Sequence, residues 1–208
     1  MAGRMFLGSQ EISGVSGLVY LGSGGGGGNT IPFICSTGSQ YIQLPVYSDD
    51  NPVISFKMLQ DAYGESPSVV VGDNWSTSGM LIYCDGRYMH TRISPSQDVS
   101  FNPIPWEVFD VEFDYDAGSL KYGSQTIGDY PSQHQHLPIF LFGLNNTQMS
   151  SVGIGEVSIK VSGTEVMHLV PMKDSSTGAG YFHDTIGNAD YYSDSSTDLK
   201  YIEIAEEE

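Results

Sequence analysis

The sequence predicts an all-β protein, an antiparallel two-sheet jelly-roll sandwich, on three observations. Its 208 residues include 25 Gly, 10 Pro and 13 Tyr with few Ala and Leu, a composition suited to many turns between short strands. Apolar and polar residues alternate at period two in several segments, which puts one side of a strand on a core and the other in water. Every candidate helical stripe is interrupted by Pro or Gly within a turn or two. With 39% hydrophobic residues, the chain has enough apolar surface for a real core.

Residues 1–31 read as a separate segment. They hold an imperfect repeat, Phe6-Leu7-Gly8-Ser9 and Tyr20-Leu21-Gly22-Ser23, spaced by 14 residues. Each copy looks like a brief strand entering a turn, and two such strands bury too little to be stable alone. Phe6, Leu7, Tyr20 and Leu21 are therefore expected to be ordered by contact with other chains, as an anchor or assembly segment. Gly24 to Gly28 follow, five consecutive glycines that read as a flexible hinge. They lack the Gly-Lys-Ser/Thr ending of a phosphate loop.

The main domain is expected over residues 32–208, with its first strand opening one residue earlier. Strands are expected at 31–35, 40–46, 53–60, 68–72, 79–85, 88–93, 107–115, 119–122, 137–144, 152–161, 165–173, 180–183 and 199–204. In the strand containing Phe109, Val111, Phe113 and Tyr115, the intervening residues are Asp110, Glu112 and Asp114, which gives an aromatic and aliphatic face opposite an acidic one. Val157, Ile159 and Val161 share one face, and Gly163 turns the chain before Val166. Pro138-Ile139-Phe140-Leu141-Phe142-Gly143 is continuously apolar, as in a strand buried on both faces. About a dozen short strands with regular turns point to two packed antiparallel sheets.

Charge narrows the partners. Eight Lys and Arg against 25 Asp and Glu give a net charge of −17. Nucleic acid and an anionic membrane are not expected as partners, because phosphate binding needs clustered cations. No window is apolar enough to span a bilayer as a helix, and the N-terminus lacks the apolar core of a secretory signal. The two cysteines, Cys35 and Cys84, are expected as separate thiols of a protein made in a reducing cytoplasm.

Several residues are candidates for chemistry. No Gly-x-Ser-x-Gly elbow or His-Glu-x-x-His pair is present, so no catalytic residue is assigned and the chain is not expected to be an enzyme. Glu107, Asp110, Glu112 and Asp114 have the residue types of glycosidase acids, but their strict alternation reads as a solvated strand face. For carbohydrate, exposed aromatics that stack on pyranose rings are sought, and Trp75, Tyr83, Tyr88 and Trp106 are the choices. Trp75 sits in a polar loop, Gly72 to Gly79, and Tyr88 adjoins Arg87, one of three arginines in the chain. Trp75, Tyr88 and Arg87 are the carbohydrate-binding candidates, whereas Trp106 is expected to pack. His134 and His136, two apart, are weak metal candidates, with a plain polar turn as the simpler reading. Asp49-Asp50-Asn51 and the 194–198 turn have calcium-type oxygen chemistry but also ordinary turn propensity, so no cofactor beyond a possible Ca is expected.

The C-terminal third carries a resemblance. Leu169-Val170-Pro171-Met172-Lys173, Gly178-Ala179-Gly180-Tyr181-Phe182-His183-Asp184 and Tyr191-Tyr192 resemble the closing segment of laminin-G-like, concanavalin-like jelly-roll domains common in phage and prophage structural proteins of gut bacteria. Here Tyr181-Phe182 stands where Phe/Met-Tyr is usual, and His183 is inserted before Asp184. Tyr41-Ile42-Gln43-Leu44 and the 138–143 strand fit the same domain, so the resemblance covers about residues 38–204. The N-terminal repeats are similar to short val-tyr-leu-gly-ser repeats that open phage fibre proteins. Together the resemblances imply a virion head fibre, decoration or tail-fibre component of a tailed phage of gut Bacteroidales, of the crAss-like group. The implied anchor is a homotrimer that meets other virion proteins through the N-terminus. The implied sandwich stands at the virion surface and adheres to host glycans. The alternative is a secreted or cell-surface bacterial carbohydrate-binding module or glycoside hydrolase.

Overall fold

A computed structural model describes residues 5–7, 10–12, 30–60, 64–73, 81–86, 88–94, 97–101, 108–123, 125–128, 136–144 and 152–205. The chain is all-β, with two large antiparallel sheets sharing one core. Among the described residues the helical content is a single 3-10 turn at Ser48–Asp50.

Its strands in chain order are β1 (Met5–Leu7), β2 (Gln10–Ile12), β3 (Thr30–Cys35), β4 (Ile42–Tyr47), β5 (Val53–Gln60), β6 (Gly64–Gly72), β7 (Leu81–Gly86), β8 (Tyr88–Ser94) and β9 (Gln97–Phe101). There follow β10 (Val108–Asp114), β11 (Ser119–Tyr122), β12 (Gln125–Gly128), β13 (Pro138–Leu141), β14 (Val152–Val161), β15 (Thr164–Lys173), β16 (Ala179–Asp184), β17 (Ala189–Tyr191) and β18 (Leu199–Ala205). The smaller of the two large sheets runs β4-β13-β6-β7-β8-β9. The larger runs β12-β11-β10-β5-β14-β15-β16-β18-β3, with β17 on β16. β1 and β2 pair with each other as a separate two-stranded sheet.

Period-two alternation builds the core from both sides. Ile42, Leu44 and Val46 of β4 are buried while Gln43 and Pro45 between them are exposed. Ile54, Phe56 and Met58 of β5, Phe109, Val111 and Phe113 of β10, and Val157 and Ile159 of β14 meet them from the larger sheet. β13 is buried on both faces, as its apolar run predicts. Ile139 and Leu141 enter the shared core, and Phe140 joins Val69, Leu81, Tyr83 and Leu144 on the far side of the smaller sheet.

The larger sheet also closes on itself. β14 pairs β15 along its C-terminal half and β3 near its start, and the path β15-β16-β18-β3 returns to β14. This closure brings backbones close together. A Cβ on Gly180 would stand 2.8 Å from the Lys200 carbonyl carbon, so only glycine fits where β16 meets β18. The β14–β15 hairpin turns through Ser162 and Gly163, both at positive φ (51° and 77°), the geometry that matches strand twist.

Four of the described strands escape the sequence pattern: β2, β9, β12 and β17. They are three to five residues long, too short for alternation to show. β3 begins at Thr30, and Thr30 and Ile31 pair with Ala205 and Ile204. Cys35 is buried in β3 of the larger sheet, whereas Cys84 lies in β7 of the smaller.

Candidate functional site

The outward face of the larger sheet carries a groove of about 430 Å³. The same alternation that sends Phe56, Val111, Leu120, Val157 and Met167 inward sends Lys57, Glu112, Lys121, Ser158 and His168 outward. Register then aligns them. Lys121 is opposite Glu112, Glu112 opposite Ser55, Ser55 opposite Ser158, and Ser158 opposite His168, one residue from each of five strands. At about 4.8 Å per strand this row is roughly 19 Å long. Asp110 opposite Lys57 starts a second row. A bulge in β14 between Ile154 and Val157 releases Glu156 towards the groove.

The polar groups are joined in pairs and a triad. Lys57 Nζ donates to Asp110 Oδ1 at 3.0 Å, and Lys121 Nζ to Glu112 Oε1 at 2.5 Å. His168 lies between two carboxylates, with Nε2 2.5 Å from Glu156 Oε1 and Nδ1 3.0 Å from Glu165 Oε1. Ser158 Oγ donates to Glu165 Oε1 at 2.5 Å. A neutral imidazole has one N–H, so both contacts become donor bonds only in the imidazolium form. Accordingly the bonds to Glu165 and Glu156 raise the His168 pKa, against a smaller opposing effect of burial. The Ser158 hydroxyl and then His168 hold Glu165 below the usual carboxylate range. The Glu112 bond raises Lys121. Backbone anchoring comes from Asp184, whose buried carboxylate accepts the His168 N–H at 3.0 Å and the Ile186 N–H at 3.0 Å.

Such an arrangement is suited to binding polyols. A carboxylate oxygen bonded to a single cation keeps acceptor capacity, and lysine keeps donors, so both sides of a sugar hydroxyl can be matched. Hydrogen bonds to charged groups are the stronger class.

Asp110, Glu112 and Asp114 do form a solvated strand face as expected, and two of them line the groove. Tyr83 is a correction: a rim position was considered for it, but it is buried in β7 and stacked on His90 at 4.7 Å. It sits within a six-residue strand and belongs to the buried cluster with Val69, Leu81, Phe140 and Leu144. Tyr88 opens β8 opposite Asp85. Trp75, Arg87, Trp106, His134, Tyr20 and Leu21 lie outside the described residues, as do the five hinge glycines. Phe6 and Leu7 are in β1, opposite Glu11 and Gln10. His136 is exposed, stacked on Tyr47 at 3.9 Å, with Nδ1 2.9 Å from Asp49 Oδ1. Asp50 accepts the Tyr47 N–H at 3.1 Å, and Asp194 accepts the Gln43 N–H at 2.6 Å, so both oxygen-rich turns use carboxylates to fix backbone. Among the described residues no three His, Cys, Asp or Glu side chains form a group that could hold a metal ion.

Sequence reasoning missed Lys57, Lys121, Glu156, Ser158, Glu165 and His168. Each is an ordinary outward residue on its own strand. Only the scarcity of cations marks Lys57 and Lys121 in the sequence.

No protein-family model matches the chain, and no curated protein matches it. Among solved structures it is similar to the crystal structure of a candidate carbohydrate-binding protein from Bacteroides ovatus, with a TM-score of 0.54 over 82% of this chain at 8% identity. The aligned region is 59% of that protein's length. At this identity the likeness is one of fold, and it agrees with the two-sheet architecture.

Proposed function

We propose that this chain is a glycan-binding β-sandwich, displayed at the surface of a tailed-phage virion, that holds carbohydrate in the groove on its larger sheet. The observation that carries the binding reading is the cross-strand row Lys121-Glu112-Ser55-Ser158-His168, a line of hydrogen-bonding side chains on an open sheet face. Support comes from the fold it shares with a candidate carbohydrate-binding protein. The virion reading is supported by the resemblance of the N-terminal repeats and of the 169–192 segment to phage structural proteins. Glycan arrays of neutral and anionic polysaccharides test the first part. Wild-type protein is expected to bind, and Glu156→Gln with Lys57→Ala to lose the signal. Equal signals from both proteins remove the groove from the account. Mass spectrometry of purified particles tests the second part, since a virion component is present in stoichiometric amount.

A second reading, a bacterial cell-surface carbohydrate-binding module, is favoured by the Bacteroides origin of the similar structure. It keeps the same groove. Detection on intact bacterial cells lacking phage, rather than in particles, selects it.

A further inference from the structure

The four exposed large hydrophobic residues among the described ones, Val166, Met172, Ile186 and Tyr192, all belong to the segment running from β15 to just past β17. Two of them build a ledge. Tyr192 stacks on Tyr181 with ring centroids 4.8 Å apart and planes 19° from parallel, and Tyr192 remains 46% exposed. Tyr181 is opposite Met172 in the β15–β16 register, and Met172 is 40% exposed. Tyr181 thus holds one face of the Tyr192 ring, which stays about half exposed, and Tyr181 itself stands opposite the polarisable thioether of Met172.

The ledge and the groove are on the same side of the same sheet. Along β15, Met167 and Leu169 enter the core, so His168, Val170 and Met172 share the outward face. Phe182 of β16 enters the core, so Tyr181 and His183 point outward beside them. His183 is opposite Val170, and its Nδ1 is 2.7 Å from Asp190 Oδ1, which adds a polar pair between groove and ledge. Met172 lies four positions beyond His168, about 13 Å along the strand at roughly 3.3 Å per residue.

We propose that the ledge is a second carbohydrate subsite continuous with the groove, so that the ligand is an extended neutral oligosaccharide rather than a single sugar. This rests on the glycan-binding reading of the groove. Two features give the ligand class. A flat aromatic face with adjoining apolar surface takes the C–H face of a pyranose, and the groove offers hydroxyl partners one strand over. Neutrality follows from the groove cations: Lys57, Lys121 and His168 each contact a carboxylate, and the chain carries −17 overall, so an anionic sugar is repelled.

The test is calorimetric titration of the full chain with neutral glucan, mannan, xylan and galactan ladders, from disaccharide to hexasaccharide. For a ladder that binds, affinity is expected to rise with length. Tyr192→Ala should abolish that rise, weakening the hexasaccharide about tenfold, while the shortest binding member is unchanged. Tyr192→Phe keeps the ring and should keep the rise, which separates stacking from misfolding. If Tyr192→Ala binds every length as wild type does, the ledge is not a subsite and the groove reading stands alone. If Tyr192→Ala instead breaks an oligomer seen by sedimentation, with sugar affinity unchanged, the ledge is an interface between copies and the proposal falls. If wild type binds no ladder, the neutral-glycan proposal falls, and the glycan array decides separately whether the groove binds carbohydrate at all.

Discussion

One face of one sheet has two different fates in this protein. Near its middle the outward face of the larger sheet is an open charged groove. A few residues further along β5 it joins a buried apolar cluster, in which Leu59 meets Phe33 and Cys35 of β3 and Ile202 and Ile204 of β18, all at or below 5% exposure. β5 shows the change within one strand: Ser55 and Lys57 face the groove, and Leu59, the next residue on that face, is fully buried. β10 repeats it in register, with Val108 beside Leu59 and Asp110 beside Lys57. The lesson is that alternation assigns a residue to a face, while its burial depends on what that face meets locally. The groove end is free to carry ion pairs because solvent screens them, and the other end holds structure.

The largest expected effect breaks the buried end. Leu59→Ala should cost about 2–5 kcal/mol, because it opens a cavity at a fully buried site. Lys57→Ala, two residues away on the same face, should cost no more than about 1 kcal/mol, as expected for an exposed ion pair. Urea unfolding of both variants measures the contrast, and equal losses would show that the groove is structural.

Next comes the closure that carries the face around to β3. Gly180→Ala drives a methyl group against the Lys200 backbone and should destabilise by about 1–3 kcal/mol. Gly163→Ala meets no atom within 4 Å but occupies a left-handed position (φ 77°), so its loss should be smaller and due to backbone strain alone. Thermal unfolding of the two variants separates crowding from strain.

The smallest effect tests the groove end by pH. His168 has a folded pKa raised above its ordinary 6.5. Its contribution to stability is therefore complete below about pH 6.5 and is lost as pH rises through the raised value. Glu165, lowered below 4.5, acts oppositely, and its contribution is lost only as pH falls below that range. The thermal midpoint of wild type should fall from pH 6 to pH 8, and His168→Gln should flatten part of that fall. An unchanged slope in the variant would assign the pH dependence to the net charge of −17 instead.

The sequence by itself determined the fold class, most strands and which residues point to the core. β5, β11 and β14 are found with the boundaries that alternation and turn residues predict. It also marked Asp110, Glu112 and Asp114 as a solvated face. Those readings are local: side-chain direction has period two along a strand, whatever the strand pairs with. Tertiary structure alone decided that Lys121, Glu112, Ser55, Ser158 and His168 stand in one row, because that depends on the pairing of strands up to about 110 residues apart and on a bulge that re-aims Glu156. It also decided that Tyr83 is covered and Tyr192 is not. Both are tyrosines near polar residues in the sequence, but one belongs to a buried cluster with Phe140 and Leu144 and the other lies just past β17, about half exposed. Neighbours brought by the fold, rather than residue type, set which aromatic face is open to a ligand.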